Sequence, residues 1–342
     1  MKVQTILSLS QMASEDATID WLLTSDASIR WQVMRDLLDA PESEWSAERS
    51  KVETEGWGAQ LLSYRDDDGQ WAGGAFLPSN FQPSEWKEIG QPWKATHFSL
   101  SQLQEFGLDP SSECAQRTIS LVGKNSRWDE GGQPYWDGEV EECINGRTLA
   151  QGAYFGVDVS AIVNRLLGER LDDGGWNCER ANGSVRSSFA TTINVLEGLL
   201  EYEKATGGTG ESIAARKSGE EYLLKRHLFR RLSTAKPADE RFLQFVHPNR
   251  WRYDVLRALD YFRAVGLMDD VDPDPQLREA IDHVHSRRRE DGKWALDWNP
   301  PGSVWLEVND GPGRSSPWVT LRALRVLKWW DNKHLLNRSR ER

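Results

Sequence analysis

Three segments of this chain obey one seven-residue rule, R-x-x-D-G-x-W. They are Arg65–Trp71, Arg170–Trp176 and Arg288–Trp294. In each, an apolar helical stretch runs into Asp-Gly, where glycine can adopt the left-handed conformation that ends a helix, and tryptophan can fold back over the last turn. A degenerate fourth copy runs from Asp129-Glu-Gly-Gly to Trp136. A chain that repeats such a stop several times is built from similar helical units, each unable to bury its apolar face alone. The seventeen tryptophans fit this, as repeated packing plugs or as the wall of an aromatic cavity.

A second element follows each stop. Leu256-Arg-Ala-Leu259 and Leu321-Arg-Ala-Leu324 are identical, and Ile193-Asn-Val-Leu196 holds the matching place after Trp176. Similar apolar helices span 29–38, 96–106, 143–155, 189–203, 251–265 and 318–330. Gly107, Gly156 and Gly266 stand at the ends of three of them. Amphipathic segments with charged faces, 157–170, 213–231 and 276–289, lie between and suit an outer layer. Six alternations of outer and inner helix make an all-α, (α/α)6 toroid. The whole chain, 1–342, reads as one domain, with roughly the first 25 residues and those after 331 peripheral.

Composition narrows the function. A net charge of −11 argues against a nucleic-acid partner, because neutralising phosphates needs a basic face. No transmembrane run and no signal-like N-terminus is present, so the cytosol is the expected compartment. Cys114, Cys143 and Cys178 are an odd number without framework spacing, which leaves thiols free or available to a metal.

The R-x-x-D-G-x-W segments, Asp173-Gly-Gly-Trp-Asn-Cys-Glu179, Val195-Leu-Glu-Gly-Leu-Leu-Glu201 and Trp251-Arg-Tyr-Asp-Val-Leu-Arg-Ala-Leu-Asp-Tyr-Phe262 resemble the short bacterial squalene-cyclase-like proteins. These belong to the terpenoid-cyclase and protein-prenyltransferase superfamily. The usual cyclase repeat carries glutamine where this chain has Arg65, Arg170 and Arg288. The resemblance implies an α/α toroid and an enzyme, of isomerase, lyase or hydrolase type, acting on an apolar substrate of the isoprenoid or polycyclic kind. The alternative is a non-catalytic toroid that binds a hydrophobic ligand or a protein partner.

In such a ring the loops before the inner helices gather at one mouth, beside positive helix ends. Residues 135–145, 176–192, 245–254 and 305–320 are those loops, and three site readings follow. Protein prenyltransferases hold zinc with an acid two residues before a cysteine and with a distant histidine. The resemblance therefore implies a Zn²⁺ site at Glu141 and Cys143, but the histidine position is occupied by Ala190; Cys178 and His247 are the candidates to complete the set. Acid–base chemistry would use Asp254 with Tyr253, His247 or Cys143. Class II cyclisation would need an acidic run in the cavity, and the available ones, 66–68 and 269–272, belong to a repeat turn and a proline-rich linker. The expected substrate-binding residues are His97, Tyr135, Trp136, Phe189, Ala190, Trp251 and Trp318. Trp31, Phe98 and Tyr154 join Phe189, Tyr253 and Trp318 in an expected aromatic wall.

Overall fold

The structure is a computed structural model and describes residues 9–340, with side chains described within 16–332. In chain order the helices are α1 (Leu9–Leu23), α2 (Ala27–Asp36), α3 (Glu42–Ser50), α4 (Gly56–Ser63), α5 (Trp86–Ile89), α6 (Thr96–Phe106) and α7 (Glu113–Asn125). Then come α8 (Glu142–Tyr154), α9 (Ser160–Gly168), α10 (Phe189–Thr206), α11 (Gly210–Leu224), α12 (Val255–Met268), α13 (Arg278–Ser286) and α14 (Pro317–Arg340). Among the described residues the only β structure is isolated single bridges. No helix there is long and apolar enough to cross a membrane.

Helices α2, α6, α8, α10, α12 and α14 touch in succession, and α14 returns to α2, which closes an inner ring. Of the other helices, α9 packs on α8, α11 on α10 and α13 on α12, outside the ring. The fold is the all-α double ring that the sequence repeats imply. Two apolar cores fill the space between the layers, one around α8 to α14 and one around α2 to α7.

The repeat works as a three-point joint. Trp71, Trp176 and Trp294 are fully buried, and each indole Nε1–H donates to a carbonyl ten residues earlier, those of Leu61, Leu166 and Val284, at 2.7–2.8 Å. These carbonyls lie in the last turns of α4, α9 and α13, where helix acceptors go unused. Each tryptophan backbone N–H in turn donates at 3.1 Å to a threonine hydroxyl, of Thr96, Thr192 and Thr320, in the first turn of the next inner helix. One residue thus pins the end of an outer helix to the start of an inner one. Trp136 is the degenerate copy, reaching the Ile119 carbonyl of α7 at 3.5 Å.

Two boundaries differ from the sequence reading. The fifth inner helix starts at Val255, because Asp254 caps it and residues 251–254 are not helical. Gly266 lies inside α12 and ends nothing; a Cβ there would sit 2.8 Å from the Trp329 ring, so the glycine admits α14. A closer approach joins α8 to α10, where a Cβ on Gly146 would meet the Asn194 backbone at 2.5 Å and one on Gly198 the Gly146 carbonyl at 2.3 Å. That contact sets the Cys143 and Arg147 turns of α8 directly beside the Thr191 and Glu197 turns of α10.

Candidate functional site

The ring encloses a cavity of about 810 Å³. Residues at the starts of the inner helices and in the loops before them line one end, among them Glu141, Cys143, Cys178, Ala190, Thr191 and Trp251. Trp86 and Gln91, from the segment between α4 and α6, also face it. Later turns supply the other end, with Arg35, Tyr154, Lys204, Arg263 and Arg325.

Glu141, Cys143 and Cys178 offer one ligand atom each, all within 4.8 Å of one another. The Cys143 thiol faces Glu141 Oε2 at 3.5 Å, and the Cys143 backbone N–H donates to Cys178 Sγ at 3.3 Å. Thr191 Oγ1 also donates to Cys178 Sγ, at 3.4 Å. The hydrogen bond with Cys178, then burial and the neighbouring negative charges, push the Cys143 thiol well above its usual pKa. The two cysteines come together because Cys143 opens α8 while Cys178 lies in a short 3-10 turn just after the Trp176 joint.

His247 lies outside this trio. It is fully buried, bonded to Glu105 at 3.2 Å and Asn309 at 3.1 Å, and stacked on Trp318 at 4.8 Å. Burial, opposed by Glu105, lowers its pKa to about 4, so near neutral pH the ring is uncharged. Asp254 is a helix cap: its carboxylate accepts from the backbone of Arg257 and Val246 and from Asn249, and burial raises its pKa. It does not line the cavity. Tyr253 gives its hydroxyl to the Leu228 carbonyl at 2.6 Å and packs against Phe189 and Phe242 in the core.

The expected substrate wall divides in the same way. His97, Ala190 and Trp251 line the cavity, as do Trp31, Phe98 and Tyr154. Phe189, Trp318 and Tyr135 are core residues, with Tyr135 stacked on Trp128 and donating to Gln151 at 2.6 Å. Trp136 is the repeat plug already described. Between these rings every inner helix also turns a charged side chain inward, which the sequence reading did not expect.

Glu105 on α6, Arg147 on α8, Glu197 on α10, Arg257 on α12 and Arg322 on α14 make the middle of the wall. Glu197 binds Arg147 at 2.8 Å and Arg257 at 2.6 Å, while Arg322 pairs with Glu105 and Asn249. Burial works to raise the pKa of Glu105 and of Glu197, but His247 and Arg322 beside the first, and Arg257 and Arg147 beside the second, outweigh it and hold both below the usual range. Further along, Arg325 ties Asp260 of α12 to Asp36 of α2, and Arg263 adds a bond to Asp260 at 2.9 Å. The sequence did carry a signal for this wall. Arg257 and Arg322 are the arginines of the two identical Leu-Arg-Ala-Leu segments, which read as apolar helix but place a cation at the axis.

No family model and no curated protein matches the chain. Among solved structures, that of the type II terpene cyclase MstE from Scytonema is similar, with 14% identity, a TM-score of 0.46, and coverage of 93% of this chain and 97% of that chain.

Proposed function

We propose that this chain is a small-molecule enzyme whose reaction takes place in the central cavity, beside a zinc ion held by the Glu141 carboxylate and the Cys143 and Cys178 thiolates. The observation that carries this reading is the convergence of three metal-type donors on the cavity wall from segments far apart in the chain. The donors fit the ion: two thiolates and a carboxylate suit Zn²⁺, and atoms within 4.8 Å of each other can surround it tetrahedrally. The Thr191 hydroxyl and the Cys143 backbone N–H on Cys178 Sγ are outer bonds of the kind that hold metal ligands in place. Such an ion, held by these three residues, would supply Lewis acidity to a substrate in the cavity.

The wall offers both charged groups and aromatic rings, which suits a substrate with an apolar body and a polar group. A bare isoprenoid would have to cover ionised groups with nothing to offer them, at a cost in desolvation. The acidic runs that class II cyclisation would need stay out of the cavity, with Asp68 bonded to Gln70 and Asp269 to Arg216. The reaction is read as zinc-assisted or acid–base chemistry of isomerase, lyase or hydrolase type.

Elemental analysis of freshly purified protein tests the metal. Stoichiometric zinc is expected in the unmodified chain and is expected to be lost in Cys143→Ser and in Cys178→Ser. Absence of zinc from the unmodified protein, or its persistence in both variants, would exclude the site. Ala190→His, which adds an imidazole on the same wall, is expected to tighten zinc retention against chelator.

A further inference from the structure

The chain as a whole is acidic, at −11, but the middle of its cavity is not. Four guanidiniums face it there, Arg147, Arg250, Arg257 and Arg322, against the two carboxylates of Glu105 and Glu197. Arg257 and Arg322 are well occupied. Arg257 holds Glu197, Asn194 and the Arg252 carbonyl, and Arg322 holds Glu105 and Asn249.

Arg250 is different. It reaches the cavity from the loop before α12, with a backbone φ of 56° that side chains rarely adopt. No described side chain or carbonyl accepts a hydrogen bond from it, and its Nε–H is shut away from solvent without a partner. Glu105 and Glu307 act on it only from beyond ion-pair distance, while Trp93 and Phe98 lie beside its guanidinium at 5.3 and 5.9 Å. Burial first of all, with Arg147 adding to it, lowers its pKa to about 10, which leaves it charged near neutral pH. Arg147, close enough to repel Arg250, spends one Nη on Glu197 and has further N–H groups unused.

A half-buried cation on a strained loop, with a shut-away Nε–H and only two aromatic rings beside it, is costly and persists in a folded chain only when something outweighs the cost. The contacts with the Trp93 and Phe98 rings are long, at 5.3 and 5.9 Å, and use none of its N–H groups as hydrogen-bond donors. An anion arriving in the cavity outweighs the cost: it would meet two guanidiniums from different repeats with free donors, in a site partly closed to water where charge-assisted bonds are strong. We propose that Arg250 and Arg147 form an oxyanion-binding subsite in the middle of the cavity, which takes the carboxylate or phosphate group of the substrate. This rests on the cavity being the substrate site, and not on the zinc.

The test is titration calorimetry on the full chain stripped of metal by chelator, with inorganic phosphate and succinate as the two probes, so that failure of the zinc reading leaves it untouched. At least one probe is expected to bind the unmodified protein, and to bind Arg250→Met and Arg147→Met about tenfold more weakly or worse, the loss expected for charge-assisted hydrogen bonds. Binding of phosphate alone assigns a phosphorylated substrate, and of succinate alone a carboxylate. Arg250→Met is also expected to melt no lower than the unmodified protein, since it removes a half-buried charge that has no hydrogen-bonding partner, whereas a structural arginine would lower the melting temperature. If Arg250→Met does not fold, Arg250→Lys decides, because lysine keeps the charge but not the two-pronged geometry and should bind several-fold more weakly. Failure of both probes to bind the unmodified protein, or equal affinity in the arginine variants, overturns the subsite.

Discussion

The two ends of the cavity are built on opposite principles. At the far end Arg325 lies between Asp36 and Asp260, Arg263 adds to Asp260, and Lys328 reaches the carbonyls of Asp36 and Leu37 at 3.0–3.1 Å. Charges there meet their opposites, and the bonds run between the first, fifth and sixth inner helices, which are the ones that must join to close the ring. At the near end Glu141, Cys143 and Cys178 face one another with like charge in prospect. Ion pairing at one end holds the fold together, and unbalanced donors at the other are available to something from outside. The difference separates a structural charge cluster from a functional one on the same wall.

The largest effect should come from breaking the clasp. Arg325→Met takes from Asp260 and Asp36 the one cation they share and leaves each with a single arginine, Arg263 and Arg35, so the loss should approach, without exceeding, the cost of about 3–5 kcal/mol for an uncompensated buried charge. Urea unfolding should show that loss. A change below about 1 kcal/mol would mean that the clasp is as weak as an exposed ion pair and that the contrast between the two ends is false.

Acid separates the regions next. His97, buried on the cavity wall, has its pKa lowered to about 3 by burial, with Arg147 adding to the effect. The folded chain keeps it neutral, while the unfolded chain protonates it near 6.5, so its contribution is complete above 6.5 and is lost as pH falls towards 3. Between pH 7.5 and 5.5 this amounts to about 1.4 kcal/mol, and His247 acts in the same direction. In the clasp, burial raises the pKa of Asp36 and Asp260, but their arginines outweigh it and both stay below the usual 3.8. Their contribution is present above that value and is lost only as pH falls through it. A two-stage acid profile is expected, with the first stage reduced in His97→Gln and the second unchanged. A single transition near pH 4 in both proteins would remove the distinction.

How far the sequence could be read follows from the same physics. The toroid was legible because each joint repeats a local rule: Asp-Gly for the stop, tryptophan for the plug, and an apolar helix after it. The threonines that take each tryptophan N–H, Thr96, Thr192 and Thr320, repeat just as strictly and complete the rule. The meeting of Cys143 with Cys178 follows from both standing by inner-helix starts. The axis was only partly legible: Arg257 and Arg322 stand in the two identical Leu-Arg-Ala-Leu segments, but Arg147 and Glu197 belong to no repeat, and only ring closure turns the four towards one another. Asp254 and Tyr253 misled for a related reason. An acid and a hydroxyl before an inner helix read as mouth chemistry, but one caps the helix and the other donates to the Leu228 carbonyl.

The smallest effect belongs to the near end, and it sharpens the comparison most because it depends on conditions. In metal-free protein Cys143→Ser should change stability by less than about 1 kcal/mol, since the thiol is only partly buried and its contacts are weak sulfur ones. With zinc present the two proteins should part. A ligand that binds only the folded chain stabilises it by RT ln(1 + [L]/Kd), about 2.7 kcal/mol at a hundredfold excess over Kd. The unmodified chain should gain stability as free zinc rises, and Cys143→Ser should gain little. Arg325→Met, whose damage lies at the other end, should start from a lower stability and gain as much as the unmodified chain. Paired unfolding curves with chelator and with buffered zinc measure all three. Equal gains in the unmodified chain and Cys143→Ser would show zinc acting elsewhere, and a gain lost in Arg325→Met would show the two ends to be coupled through the ring.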